Sequence, residues 1–110
     1  MRVIRSYHDL IVWQKAVDLA VESYRLAGQL PVDERFGLVA QLRRAASAIP
    51  ANIAEGHGME TRGEFRRGVA ITRGSLAELG THFELARRLD YLSQTTTSTA
   101  ERLIEEVENP

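Results

Sequence analysis

Thirteen of the fourteen cationic residues in this 110-residue chain are arginines, Lys15 being the exception. The planar guanidinium fork suits phosphate or carboxylate recognition. Between Arg35 and Arg73 seven arginines face three glutamates, whereas Glu101 to Glu108 holds four glutamates against Arg102 alone. Arg66, Arg73 and Arg87 recur at one heptad position, with Gly80 in the intervening repeat, and Arg43 and Arg44 add charge from an earlier segment. Such a stripe can neutralise phosphates. It can equally pair with carboxylates of the same or another subunit, Glu101, Glu105 and Glu106 among them. The formal net charge of −1 lacks the excess expected of a dedicated nucleic-acid binder. No aromatic residues interleave with the stripe, which argues against base stacking.

Other chemistry fails on pattern. Ser75 lies in Arg73-Gly74-Ser75-Leu76-Ala77, which is not a nucleophile elbow. Gly56-His57-Gly58 lacks the third glycine and preceding strand of a phosphate loop. A di-metal bundle needs paired Glu-x-x-His units, and none is present. Glu78 and His82 stand four apart and read as a surface hydrogen bond, and His8 and His57 fall at helix margins. Without cysteine neither a disulfide framework nor a thiolate metal site is available. These features predict a non-enzymatic protein without cofactor or metal. Tyr7, His8 and Asp9 interrupt any signal-like run, and no apolar run approaches the roughly 20 residues of a membrane span. A cytoplasmic protein without membrane contact is expected.

Residues 1–110 have the size of a single domain, and their periodicity is helical. Leu10, Trp13, Val17, Ala20, Tyr24 and Ala27 line one side of a first helix from about Ile11 to Gly28, with Asp9 as N-cap. Leu38, Leu42, Ala45, Ile49 and Ile53 mark a second, from about Glu34 to Glu55, which Pro50 should kink. Thr61 and Glu64 have the spacing of a capping box and open a third helix reaching Leu89 or Asp90. Its heptad runs Phe65, Val69, Thr72, Leu76, Leu79, Phe83 and Ala86. Ser93 to Thr99 is rich in residues that favour caps and turns, so the fourth helix, with Ala100, Leu103, Ile104 and Val107, is expected to be short. The predicted fold is all-α, a four-helix bundle. Gly63, Gly68, Gly74 and Gly80 each cost about 1 kcal/mol in a helix interior. Ala70, Gly74, Ala77 and Thr81 form a small-residue stripe open to close approach, by the bundle's own helices or by another subunit.

The segments Val12-Trp13-Gln14-Lys15-Ala16, Leu30-Pro31, Phe36-Gly37-Leu38, Gln41 to Ala46, Ile49 to Gly56 and Arg73 to Leu79 carry a family resemblance. The chain resembles the four-helix-bundle proteins of the 23S rRNA intervening-sequence family over about residues 9–92. That resemblance implies an up-and-down antiparallel bundle assembled as a ring-like homopentamer. The family is similar to the accessory variability proteins of diversity-generating retroelements, which work with nucleic acid. RNA or DNA contact is thereby implied for Arg43, Arg44, Arg66 and Arg73, and Arg87 joins them through its heptad position. The alternative is a protein-interaction scaffold with no nucleic-acid role. Met59 and Gly68 depart from the family pattern, which usually places a basic or small polar residue and a large apolar residue there.

Overall fold

The computed structural model describes residues 6–59 and 61–110. A 3₁₀ turn at Tyr7–Asp9 leads into helix α1 (Ile11–Ala27), and another at Val32–Glu34 precedes α2 (Leu38–His57). Helices α3 (Arg62–Arg88) and α4 (Gln94–Glu108) follow. Each helix packs on its sequence neighbour and α4 returns to α1, which closes an up-and-down antiparallel bundle. Phe83, Leu19, Leu26, Leu42, Ile49, Leu76 and Leu79 are fully buried at its centre, each contributing roughly 1.5–3 kcal/mol of apolar transfer.

The core stripe of α1 is not the predicted one. Ala16, Leu19, Ser23, Leu26 and Ala27 are buried, whereas Trp13, Val17 and Ala20 are half-buried and Tyr24 is exposed. Because α1 packs on both α2 and α4, its buried face points between them and the predicted stripe lies on its edge. Ser23 is tolerated there because its hydroxyl donates to the Leu19 carbonyl at 2.7 Å, so no buried polar group is left unpaired. Asp9 does not cap α1; Leu10 holds that position without a side-chain bond. The Asp9 carboxylate instead accepts from the Ser6 N–H at 3.3 Å and caps the 3₁₀ turn.

Helix α2 begins four residues later than expected because Glu34 caps it from outside. Its Oε1 accepts from the Leu38 N–H at 3.2 Å, and its Oε2 accepts from the Tyr91 hydroxyl at 3.0 Å. One carboxylate thus ties the α1–α2 connection to the α3–α4 connection. Gly37 leaves room for it, since a Cβ there would come within 2.7 Å of Glu34 Oε1. The helix continues through Pro50, which has no N–H to offer the Ala46 carbonyl.

Thr61 caps α3, its hydroxyl accepting from the Glu64 N–H at 3.1 Å. Close to that end, Gly68 and Gly56 are both buried, and a Cβ at Gly68 would lie 3.5 Å from the Gly56 Cα. A large side chain at position 68 would separate α2 from α3. The far end closes with Asp90 at φ 62°. The Tyr91 N–H donates to the Ala86 carbonyl and the Asp90 N–H to the Arg87 carbonyl, both at 2.9 Å, which is a Schellman ending.

Helix α4 takes in the threonine tract that the sequence reading assigned to caps and turns. Ser93 caps it through the Thr96 N–H at 3.0 Å, and fully buried Thr97 donates to the Ser93 carbonyl at 3.2 Å. Even so, α4 has 15 residues against 27 in α3, and the α3 heptad is covered only in part. Leu76, Leu79, Phe83 and Ala86 are buried, but Phe65 is 52% exposed and Val69 36%.

Candidate nucleic-acid interface on the third helix

The arginines of α3 divide by position along the helix. Near its C-terminal end the Arg87 side chain is 16% exposed and sits among carboxylates. It bridges to Glu101 of α4, to Glu84 at 2.6 Å and to the Thr97 hydroxyl at 3.1 Å. Arg88 donates to the other oxygen of Glu84 at 2.9 Å. The hydrogen bond from Arg87, then that from Arg88, holds the Glu84 carboxyl below the ordinary carboxylate range. Carboxylate pairing therefore applies to Arg87, and Glu101 is the partner among the glutamates considered from sequence. Glu106 pairs instead with Lys15 at 3.5 Å and Arg102 at 2.9 Å.

Arg43 and Arg44 lie on α2 and do not join the α3 stripe. The Arg43 guanidinium stands 5.5 Å from the Tyr24 ring centroid, a cation–π position. Arg44 reaches Gln41 on its own helix and Glu78 of α3 at 3.5 Å. Glu78 also meets His82 at 3.4 Å, as the spacing predicted. With about 100° per residue, Glu78 projects about a third of a turn or more from Arg66 and Arg73.

Arg66 and Arg73 do share a face. Both are exposed, and neither forms an ion pair among the described residues. They stand about 10 Å apart along the axis at 1.5 Å per residue. Arg62, exposed and equally unpaired, extends that face by one turn toward the N-terminus. Sequence reasoning did not single it out because it precedes the heptad, although a step of four to Arg66 was the available signal. The acidic helix that neutralises Arg87 ends at Glu108 and forms no ion pair with these three among the described residues.

The small-residue stripe is on the outside. Ala70, Gly74, Ala77 and Thr81 are all exposed, and a Cβ at Gly74 or Gly80 would meet nothing within 4 Å. The bundle's own helices do not occupy that face. Ile71 and Leu85, 46% and 47% exposed, border it.

Among the described residues no three His, Asp or Glu side chains converge as a metal-binding group, and no helix is long and apolar enough to cross a membrane. The fold and this surface define an all-helical bundle with a cationic stretch on its longest helix. A family model described as 23S rRNA-intervening sequence protein matches residues 8–109. The chain belongs to that family. No curated protein matches it.

Proposed function

We propose that this chain is a non-enzymatic, cytoplasmic accessory protein that works as a homo-oligomer and binds RNA or DNA through arginine–phosphate contacts. Arg66 and Arg73, extended by Arg62, make those contacts; Arg43 and Arg44 form a second, partly engaged patch, and Arg87 serves the fold. The observation that carries this reading is the division of α3: its C-terminal arginines are held by glutamates, while its N-terminal ones are exposed and unpaired. The family description, which names ribosomal RNA, supports nucleic acid as the ligand. The exposed small-residue face beside Ile71 and Leu85 supports association of copies, and the resemblance implies five. Repetition around a ring would multiply a weak cationic face into a continuous one.

The test is a salt titration of binding to structured RNA and duplex DNA. Log affinity should fall linearly with log salt, with a slope of about −0.7 to −0.9 per neutralised phosphate. Arg66→Gln or Arg73→Gln should reduce the slope by about 1 per contacting copy, and Arg88→Gln should leave it unchanged. Absence of binding at low salt would overturn the reading in favour of a protein-interaction scaffold.

A further inference from the structure

Where α4 ends, its lane along the bundle continues as a groove. The difference in length between α3 and α4 leaves about 18 Å of α3 uncovered at 1.5 Å per residue. The cavity there measures about 420 Å³, and Val107 of the last α4 turn closes one end. Leu10 and Val12 from the start of α1, Ile53 from α2, and Phe65, Val69 and Leu76 from α3 make its apolar wall. The polar groups on its rim include Arg73 and His57, and Arg66 and Arg62 follow on the same side of α3. Glu108 is the acidic side chain lining it.

We infer that this groove docks an amphipathic, acidic α-helix of about two to three turns from a partner protein, lying in the lane that α4 leaves open. A bundle helix, α4, already packs further along the same lane, and apolar residues at i, i+3, i+4 and i+7 match such a lane. The wall that α4 covers further along is the same heptad of α3, so a helix completes the packing that Phe65 and Val69 begin. Charge selects the occupant's sign. The unpaired arginines of α3 lie along one rim, so glutamates or aspartates flanking the apolar stripe would meet cations, and lysines would meet repulsion. A second copy of α4 does not fit this requirement, because its apolar residues Ala100, Leu103 and Val107 are already buried in its own bundle. The groove shares Arg73 with the phosphate-binding face, but its apolar wall is separate, and the two sites are distinguishable through that wall.

The probe is a capped synthetic peptide of about 12 residues, fluorescein-labelled, with leucines at i, i+3, i+4 and i+7 and glutamates beside them. Binding is read by fluorescence anisotropy against the full chain. Phe65→Ser combined with Val69→Ser removes the apolar wall without changing charge, and both side chains are exposed enough for the fold to survive, which circular dichroism checks. The double variant should bind the peptide at least tenfold more weakly and keep its RNA affinity within about twofold. On the unaltered protein, peptides with lysine for glutamate, or with the same composition in permuted order, should also bind at least tenfold more weakly. Equal binding of the permuted or lysine peptide, or an unchanged affinity in the double variant, would overturn the inference. So would a fall in light-scattering mass in the double variant, which would give the groove to a second copy.

Discussion

Gly74 stands at the centre of the exposed small-residue stripe, and replacing it with alanine separates what the protomer needs from what an assembly needs. In the protomer, a Cβ at this position would meet nothing within 4 Å, so Gly74→Ala adds no clash. What remains is the backbone term, about 1 kcal/mol in favour of alanine in a helix interior. For a domain near this size, 1 kcal/mol corresponds to a rise in the unfolding midpoint of about 4 °C or somewhat more. Gly80 is the internal reference. It has the same open surroundings but lies outside the stripe, so Gly80→Ala should give the same gain. Thermal unfolding followed by circular dichroism, at a concentration where light scattering reports monomer, measures this term alone. At higher concentration, close approach of a neighbouring backbone over the stripe would make the added methyl costly, so Gly74→Ala should lower the scattering mass while Gly80→Ala preserves it. A lowered monomer midpoint for Gly74→Ala alone would refute the open surroundings of the stripe. A raised midpoint with unchanged assembly would remove the stripe from the interface.

Asp90→Gly should raise stability by up to about 1 kcal/mol in urea unfolding, because Asp90 holds a left-handed φ of 62° that glycine adopts without steric cost. The hydroxyl of Tyr91 is pushed above its ordinary range by its bond to Glu34, by burial and by the nearby carboxylates. The unfolded chain therefore ionises first, so this contribution is whole below about pH 10 and is lost as pH rises through the folded value. Urea midpoints from pH 8 upward should fall more steeply than those of Tyr91→Phe. Glu84 behaves in the opposite sense. Its carboxyl is lowered by Arg87 and Arg88, so its contribution is whole above the ordinary glutamate value and is lost as pH falls through the folded one. Glu84→Gln should flatten the acid limb of the same titration.

The number and order of the helices are legible in the sequence because the first three carry a 3.6-residue period with a stop or cap of identifiable chemistry, and the fourth a short apolar stripe. Gly28 caps the first helix, and Thr61 opens the third as its side chain predicts. The exact faces are less legible. In α1 two apolar stripes overlap, and only the positions of α2 and α4 decide that Leu19 and Leu26, rather than Trp13 and Tyr24, are central. Glu34 is misread for a related reason. Its place before an apolar period suggests the first turn of α2, yet the partners that define its role are a backbone N–H four residues on and Tyr91, 57 positions away.

The arginines show the same limit where it bears on function. Arg66, Arg73 and Arg87 occupy one heptad position, so sequence treats them as equivalent, but equivalence along a helix holds only while its neighbours stay the same. Glu101 lies midway along α4, opposite the C-terminal part of α3, and it captures Arg87. Val107 and Glu108 lie at the end of α4, and among the described residues neither Arg66 nor Arg73 forms an ion pair with it. The length of α4 therefore sets which arginines serve the fold and which remain available. Extending α4 by two acidic turns would place carboxylates opposite Arg73 and Arg66 and fill the groove beside Phe65. In an extended variant that keeps its mass by light scattering, loss of both RNA binding and peptide binding would trace the two proposed activities to one cause. Retention of RNA binding would place the phosphate contacts elsewhere.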